Sequence, residues 1–433
     1  MAMSDNLRKK AIEILTANDR GGYTVPTAGL YPYQWNWDSA FVALGFAIFD
    51  RDRAWREIET LFDAQWDDGF VPHIVFHVDD SGYFPGPSIW RTRNTPATSG
   101  ITQPPVAASI VRSLWESGDR IERDRLAAIY PKLLAWHRWF HRYRDPLGNG
   151  LILATHPWES GRDNSPEWDA PTARIDTSGV EPYQRRDLTL VDHAMRPTKD
   201  DYDRYLAILQ FGRGHNWDHK LIAENNPFRV IDVGMTMILL RANRDLLHMA
   251  EALGRTEDCK ELSERIELSE DNVSYLWNEE IGAYCSRDII TDRSSGIVTN
   301  ASFLSFYAGV GDASQKTTLI ENLDRINACV RYLLPSTDPA HEKFNSILYW
   351  RGPVWAVVNQ LVASGLAEQG YQTHAQKIVD DTRALIRSSG FFEAFCPVTG
   401  AGVGGAEFSW TAAIWLLLSA DDGNQITLIK GAA

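Results

Sequence analysis

Apolar residues recur along most of the chain at the three- and four-residue spacing that places them on one face of a helix. Sustained alternation of apolar and polar residues, the mark of a half-buried strand, is scarce. The pattern therefore predicts a chain of amphipathic helices, most of them arriving in pairs. The predicted helices cover residues 3–15, 35–49, 54–66, 104–115, 124–143, 200–222, 230–253, 256–276, 302–308, 315–326, 353–369, 371–388 and 407–420.

Several joints between these helices are long and rich in Gly, Pro and aromatic residues. They cover residues 21–34, 69–103, 148–180, 282–300, 332–352 and 391–406. Long loops inside a compact domain usually carry function. Paired helices with such joints predict an all-α fold, a toroid of helical hairpins that forms a single domain over residues 1–433. A multi-domain α-solenoid is disfavoured because the sequence has no repeat at a fixed period.

The composition limits the classes of partner. With 43 Lys and Arg against 57 Asp and Glu, the net charge of −14 argues against nucleic acid or an anionic membrane as a partner. The four cysteines show no metal-ligand spacing and no other motif indicates a metal or cofactor, so we expect neither. The polar N-terminus and the lack of any stretch that approaches a membrane span predict a cytoplasmic protein. The 16 Trp and 15 Tyr residues indicate a site lined by aromatic faces, as sugar-binding sites are.

The segment from His156 to Pro166 combines two carboxylates, an indole, a glycine and an Asn-Ser-Pro turn without helical or strand period. Such a segment after an apolar run is typical of a loop that carries a site, although acidic surface loops are commoner. An indole beside a carboxyl group favours the neutral form of that group by desolvation. Asp163, at the tip of the turn, is therefore the candidate general acid, and Trp158 and Gly161 are candidate substrate contacts.

The joint at residues 21–34 runs into an alternation of aromatic and polar residues. Indole faces can stack on a sugar ring while carboxylate and amide groups bind its hydroxyls, although an Asp at a helix start is more often a cap. The candidates here are Tyr31, Gln34, Trp35, Trp37 and Asp38.

Two further joints add candidates of the same kind. His73 is equally consistent with a buried histidine, Gln103 with a helix cap, and one or more of the tryptophans with the core. The additional candidates are His73, Tyr83, Gln103, Tyr349, Trp350, Arg351 and Trp355.

Arg204 lies on a predicted helix between two tyrosines. An exposed helical arginine is the commoner outcome, but a guanidinium fork matches the geometry of a substrate carboxylate. Arg204 is therefore the candidate for binding an anionic part of the substrate.

The last joint holds a Gly-rich run that lets the backbone approach a ligand, without the Lys-Ser/Thr ending of a phosphate loop. Glu407, where this joint enters the last predicted helix, is the candidate second catalytic carboxylate, and Glu393 is the reserve. A partner for the helix dipole is the ordinary alternative for Glu407. Two carboxylates on different loops of an aromatic-lined site are what hydrolysis of a glycosidic bond requires.

Residues 31–38, 156–166, 349–355 and 407–410 together resemble glycoside hydrolase family 63, most specifically in the motif Glu-Ser-Gly-x-Asp-Asn-Ser-Pro. The resemblance covers essentially the whole chain, and its length is similar to that of bacterial members that hydrolyse glucosylglycerate or mannosylglycerate. It implies an (α/α)6 barrel and an inverting mechanism with Asp163 as general acid and Glu407 as general base. It also implies that an arginine, here Arg204, helps to hold the glycerate carboxylate. Arg162, at the variable position of the motif, brings a positive charge next to Asp163.

The resulting hypothesis is an inverting α-glycosidase that acts on 2-O-α-glucosylglycerate or its mannosyl counterpart. The two catalytic carboxyl groups are expected roughly 6.5–9.5 Å apart, with room for a water between them. The alternatives are a trehalase-like α-glucosidase of neutral disaccharides, an epimerase on the same barrel, which would require a His pair, and a non-catalytic sugar-binding protein. The sequence leaves open glucose versus mannose and whether the chain forms a homo-oligomer.

Overall fold

The computed structural model describes residues 2–80, 82–118 and 121–420 of the 433-residue chain. The helices are α1 (Ala2–Asn18), α2 (Asn36–Phe46), α3 (Arg51–Asp63), α4 (Pro87–Trp90), α5 (Ala107–Glu116), α6 (Ile121–Tyr143), α7 (Asp169–Ala173), α8 (Asp187–Leu190), α9 (Lys199–Gly214), α10 (His219–Asn225), α11 (Val233–Leu253), α12 (Thr256–Asn272), α13 (Leu304–Ala308), α14 (Ala313–Cys329), α15 (Ala356–Glu368), α16 (Gln372–Ser389) and α17 (Ser409–Ala420).

Short strands occupy the joints between helices. They are β1 (Gln34–Trp35), β2 (Ile74–Phe76), β3 (Ala97–Thr98), β4 (Leu153–Ala154), β5 (Val230–Ile231), β6 (Trp277–Asn278), β7 (Ala283–Tyr284), β8 (Arg287–Asp288), β9 (Arg293–Ser294), β10 (Phe392–Phe395) and β11 (Gly402–Ala406). They pair antiparallel as β1-β2-β3, β4-β5-β8-β9, β6-β7 and β10-β11.

Within the described residues, a closed inner ring is formed by α2, α5, α11, α13, α15 and α17, each packed against the next and α17 against α2. The outer helices α1, α3, α6, α12, α14 and α16 alternate with these along the chain. For example, α3 packs on α2, α12 on α11 and α16 on α15. This alternation is the (α/α)6 arrangement, so the predicted all-α toroid is confirmed. Because an outer helix separates successive inner ones, the inner helices run in one direction and begin at the same end of the barrel.

The two rings differ in the sequence pattern that produces them. Inner helix α2 is buried at every position, and it is apolar from Ala40 to its end, as expected for a helix surrounded by protein. Outer helix α16 buries Ile378, Val379, Leu385 and Ile386 at helical spacing and leaves most of its charged residues on the other face. One apolar cluster extends from Ala11 in α1 to residues of α17.

The two ends of the described chain meet in this ring. Helix α1 packs on α17, and Asn18 at its end donates a hydrogen bond to Ser409 Oγ at 2.9 Å. The backbone N–H of Ser409 donates to Pro26 O at 2.8 Å, and Thr27 Oγ1 donates to Ala406 O at 2.7 Å. The segment after α1 is thus bonded to the junction of β11 and α17.

The ends of most predicted helices shift by a few residues in the structure, and three of these differences bear on the site. The predicted helix 200–222 is two helices, since Asn216 and Trp217 take positive φ angles of 50° and 58° between α9 and α10. The predicted helix 230–253 starts as strand β5, and Asp232 then caps α11 by accepting from the N–H groups of Gly234 and Met235. The predicted helix 407–420 begins only at Ser409. The predicted domain extends to residue 433, and residues 421–433 lie outside the described part.

Among the residues that the structure describes, no helix has both the length and the apolarity needed to cross a membrane.

Candidate active site

A pocket of about 940 Å³ lies at the end of the barrel where the inner helices begin. Its lining comes from the segments before or at the starts of α2, α5, α15 and α17, together with the loops between α6 and α9. The pocket brings together these predicted site residues: Tyr31, Trp35, Trp37, Asp38, His73, Tyr83, Gln103, Trp158, Gly161, Asp163 and Tyr349.

The loop that carries Asp163 follows strand β4 and turns sharply into the pocket. A 3₁₀ turn at Pro157–Ser160 is closed by Gly161 with a positive φ of 67°. A Cβ at Gly161 would lie 2.7 Å from the Trp37 indole, so this close approach requires glycine. The motif glycine therefore brings the loop against the indole next to Asp163.

Two sets of buried ion pairs hold the ends of this loop. Arg144 Nη2 donates to Glu159 Oε1 at 2.8 Å, and neither side chain is exposed. Arg162 pairs with Glu167 and, at 2.9 Å, with Asp232 at the start of α11. The positive charge of Arg162 beside Asp163, noted from the sequence, is thus neutralised by two buried carboxylates.

We expect the Arg144–Glu159 pair to dominate the stability of this loop. Replacing Glu159 by Ala leaves a fully buried guanidinium without its carboxylate, which should lower the free energy of unfolding by about 3–5 kcal/mol. The matched control is Glu407→Ala, which breaks the exposed Lys10–Glu407 pair of similar length, 2.6 Å, and should cost at most about 1 kcal/mol. Urea unfolding of both variants measures the difference, and equal losses would contradict the expectation.

Asp163 lines the pocket with a carboxyl group that the surroundings keep protonated. Burial raises the pKa of Asp163 to about 8; the positive charge of Arg196 opposes this rise and the nearby Glu393 adds to it. The backbone N–H of Asp163 itself also opposes the rise, but burial outweighs both opposing groups. Asp163 is therefore available as a proton donor at neutral pH.

Glu393 is the second carboxylate that faces Asp163 across the pocket. It lies on β10, is 1 % exposed, and accepts hydrogen bonds from Tyr31 Oη and from the Gly405 N–H, both at 3.0 Å. Burial raises the pKa of Glu393, while Arg196, with Nη1 at 3.7 Å, and these two donors oppose the rise. Unlike Asp163, this carboxyl accepts hydrogen bonds from several other residues, which stabilise its ionised form.

Contrary to the expectation that Glu407 faces the site, the structure does not place it in the pocket. Its side chain is 63 % exposed and pairs with Lys10 of α1 at 2.6 Å. Glu407 has a positive φ of 50° between β11 and α17, and its side chain lies against α1 instead of in the pocket. The reserve candidate Glu393, one strand earlier, occupies the pocket instead.

The Gly-rich strand β11 makes room for Glu393. A Cβ at Gly404, whose φ is +78°, would lie 2.2 Å from Glu393 Oε2. The Gly-rich run does let the backbone approach another group, but the approaching group is a side chain of the protein.

We expect Gly404→Ala to lower kcat by about 100-fold, since a displacement of the carboxylate by about 1 Å has an effect of this order. The matched control is Gly390→Ala, because Gly390 has a φ of +85° but open space around its Cβ position. Steady-state kinetics of the folded variants measures the effect. Equal losses in both variants would assign it to backbone strain instead of the displaced carboxylate.

The predicted carboxylate ligand Arg204 lies outside the pocket. Its side chain is 32 % exposed and pairs with Asp201 on the same helix. The pocket instead contains Arg185, Arg186 and Arg196, which come from the loop before α9. That loop has no helical or strand period, and for this reason the sequence pattern did not single it out.

Arg196 is the arginine best placed to bind an anion. It is 7 % exposed, and its Nε donates to Asp187 at 3.0 Å. Its guanidinium lies 4.5 Å above the Tyr349 ring. Within the described chain, the buried Nη1 has no hydrogen-bonding partner. Nη1 lies 3.7 Å from Glu393 Oε2 without a hydrogen bond to it, so its N–H groups can still donate to a ligand carboxylate.

Four other predicted ligands support the pocket from behind. Gln34 is fully buried and bonds to Ser39 and His77. Trp350 and Trp355 stack on each other at 3.8 Å, a wall behind Trp37 and Trp410. Arg351 forms an ion pair with Asp169.

The remaining predicted residues lie where polar contacts to a ligand are available. Asp38 is 5 % exposed, and burial together with Glu393 raises its pKa well above the usual range. His73 bonds to Ser99 Oγ through Nδ1 at 2.6 Å, and burial lowers its pKa so that it is neutral. Sequence reasoning did not select the pocket residues Tyr202, Phe408 and Trp410, although Phe408 and Trp410 stand within the quoted C-terminal motif.

Comparison with known proteins identifies similar chains over nearly the whole length. A family model described as "Mannosylglycerate hydrolase MGH1-like glycoside hydrolase domain" matches residues 31–411. A mannosylglycerate hydrolase of Thermus thermophilus is 47 % identical over 412 residues, 94 % of this chain and 99 % of that protein. A glucosylglycerate hydrolase of Mycolicibacterium hassiacum is 34 % identical over 428 residues, 94 % of this chain and 96 % of that protein.

A solved structure shows the same fold. The crystal structure of a glycoside hydrolase family 63 mannosylglycerate hydrolase from Thermus thermophilus, in complex with Tris and D-glycerate, has a TM-score of 0.92 and 47 % identity. The match covers 95 % of this chain and 99 % of that one.

Proposed function

The chain belongs to the mannosylglycerate hydrolase MGH1-like glycoside hydrolases, and on that premise we propose that it hydrolyses 2-O-α-mannosylglycerate to mannose and glycerate with inversion. The observation that carries the proposal is the pocket itself. It holds a protonated carboxyl, Asp163, a carboxylate that accepts several hydrogen bonds, Glu393, and a guanidinium, Arg196, whose Nη1 makes no hydrogen bond. A cytoplasmic location stays a prediction, as does any homo-oligomer.

In the proposed mechanism, Asp163 protonates the glycosidic oxygen as the bond from that oxygen to the anomeric carbon breaks. Glu393 takes a proton from a water, and the oxygen of this water bonds to the anomeric carbon from the opposite face. The assignment of acid and base follows from the environments, because burial favours the neutral acid at Asp163 and the donors around Glu393 favour the carboxylate. We expect the carboxyl groups to be roughly 6.5–9.5 Å apart.

The sugar is proposed to occupy the aromatic end of the pocket. The indoles of Trp35, Trp37 and Trp410 supply stacking faces, and Asp38 and Gln103 supply groups for its hydroxyls. Gln103 is itself held in place, since its Oε1 accepts from the backbone N–H of Trp37 at 3.2 Å. Rigid polar groups of this kind discriminate between sugar epimers by the position of one hydroxyl.

The glycerate carboxylate is proposed to accept a hydrogen bond from Nη1 of Arg196. This nitrogen is buried and makes no hydrogen bond, although Glu393 lies 3.7 Å away, so a ligand carboxylate would add a charge-assisted hydrogen bond. Neutral disaccharides cannot supply that carboxylate, which disfavours the trehalase-like alternative. Glucosylglycerate remains the second candidate substrate, because the similarity to the glucosylglycerate hydrolase of Mycolicibacterium hassiacum also extends over nearly the whole chain.

Proton NMR of the reaction tests the proposal. The purified protein is incubated with mannosylglycerate, glucosylglycerate and trehalose, and the first anomer released is observed. Prompt release of the β-anomer from mannosylglycerate is the expected result. Initial α-anomer would overturn inversion, and faster hydrolysis of trehalose would overturn the choice of substrate.

We expect Arg196→Gln to raise KM for mannosylglycerate about 100-fold, because it removes the proposed partner of the carboxylate. The expected loss is about 1.5–3 kcal/mol of binding, the usual range for a charged hydrogen-bonded group. The comparison variant is Arg204→Gln, which changes an arginine outside the pocket and should leave KM within about twofold. The reverse order of effects would restore Arg204 as the carboxylate ligand.

A further inference from the structure

Arg196 lies between the proposed aglycone position and the two carboxyl groups of the reaction. Its Nη1 is 3.7 Å from Glu393 Oε2, and its Nε is held by Asp187. Tyr31 and Tyr349 pack against its guanidinium, with ring centroids 5.9 Å and 4.5 Å from the central carbon. A ligand carboxylate that accepts a hydrogen bond from Nη1 is therefore close to the reacting groups as well.

The charge of Arg196 acts on both carboxyl groups in the pocket. It opposes the rise in pKa that burial causes at Asp163 and at Glu393. The other groups that face Asp163 are Glu393, Asp38, Tyr349 and Tyr205. Arg196 is thus the cation that acts on Asp163. The two tyrosines are neutral in the working pH range because burial raises their pKa values.

We propose that the carboxylate of the substrate takes part in catalysis through Arg196. The bound carboxylate partly neutralises the positive charge that Arg196 exerts on Asp163 and Glu393. The inference rests on the proposed function, since it requires an anionic aglycone at Arg196. When that carboxylate binds, Asp163 retains its proton to a higher pH and Glu393 becomes the stronger base. With an uncharged aglycone, Arg196 continues to oppose the rise in the pKa of both groups. Binding of the anionic aglycone therefore also keeps Asp163 protonated for the reaction.

Linkage gives a direct measurement. If anion binding strengthens proton binding at Asp163, the enzyme must take up protons from solution when it binds free D-glycerate. A unit charge at about 10 Å and an effective dielectric constant of about 20 changes a pKa by about one unit. Starting from a pKa of about 8 for Asp163, such a rise corresponds to an uptake of about 0.4 proton per glycerate bound at pH 8.

Isothermal titration of the enzyme with D-glycerate, at pH 8 in two buffers of different ionisation enthalpy, measures this uptake. Proton uptake of about 0.4 supports the proposal. Glycerate binding without uptake overturns it and leaves the proposed function intact. Absence of glycerate binding overturns the carboxylate position at Arg196, and with it both the inference and that part of the proposed function.

Three variants test which residue takes up the proton and which residue binds glycerate. Asp163→Asn should bind glycerate without proton uptake at pH 8, and Arg196→Gln should bind it at least about tenfold more weakly. Lys199→Gln removes one positive charge from the surface three residues away and should behave as the unaltered enzyme. Unchanged uptake in Asp163→Asn would overturn the assignment of the proton to that carboxyl.

Kinetics with a matched neutral substrate provides the second test. Mannosylglycerol carries a CH₂OH group where mannosylglycerate carries its carboxylate. Both limbs of the pH profile of kcat should lie about one pH unit higher for mannosylglycerate than for mannosylglycerol. In Arg196→Gln, where the carboxylate is no longer held at this position, the difference between the two profiles should become smaller. Coincident profiles in the unaltered enzyme would overturn the proposal.

Discussion

Replacing Glu393 by Gln is expected to lower kcat by about 10³-fold or more, within the range for loss of a general base. The amide keeps the size of the side chain and can still accept from Tyr31 or Gly405, but it cannot take a proton from water. The loss should be equal for mannosylglycerate and for an aryl α-mannoside with an activated leaving group, because both reactions require the same water.

Glu407→Gln is the control for this variant. Glu407 pairs with Lys10 on the outside of the barrel, so its loss should change kcat by less than about twofold. Rates from single-turnover and steady-state measurements decide between the two glutamates. A large loss in Glu407→Gln with an active Glu393→Gln would return the role of the base to Glu407.

The second large effect concerns Asp163 and pH. Because the pKa of Asp163 is about 8 in the free enzyme, kcat/KM should fall about tenfold per pH unit above pH 8, as the proton needed by the leaving oxygen is lost. Asp163→Asn should lower kcat by about 10³-fold for mannosylglycerate and far less for an activated aryl mannoside, which leaves without protonation. An alkaline limb that is identical in Asp163→Asn would contradict the assignment.

The same pKa predicts an effect on stability. A carboxyl that binds its proton more tightly in the folded protein than in the unfolded chain stabilises the fold at low pH, and this contribution is lost as the pH rises through about 8. Asp163→Asn removes the buried charge that forms above that pH. Its melting temperature should therefore exceed that of the unaltered enzyme at pH 9, as is common for residues placed for catalysis.

The contrast between Asp163 and Glu393 shows what local sequence can and cannot determine. The proposed acid lies in a loop whose glycine, indole and prolines are close together in sequence, so the chemistry is visible in a short segment. The proposed base lies on a strand, and which carboxylate of 391–407 faces the pocket depends on the β10–β11 pairing and on the positive φ of Glu407. The periodicity of apolar residues in the sequence does not show which of these side chains faces the pocket.

The aglycone side was harder to predict for a related reason. Helix pairs follow from apolar spacing, and the (α/α)6 ring followed correctly from them and from the family resemblance. Arg196 is selected by its contacts with Asp187, Glu393 and Tyr349, which no single window of sequence contains. Arg204 satisfied the local pattern, an arginine between tyrosines, but its helix places it outside the pocket.

The bonds that join the segment after α1 to the β11–α17 junction have a consequence for biosynthesis. Glu393 is held by a hairpin whose far strand is bonded to Thr27, across 379 residues of chain. Contacts of such sequence separation form late, since the entropy of closing the loop must be met first. On the ribosome, the acid loop and most of the inner ring emerge well before α17. The enzyme should therefore gain activity in one step at the end of synthesis, and a nascent chain that lacks α17 should remain inactive even with its acid loop complete.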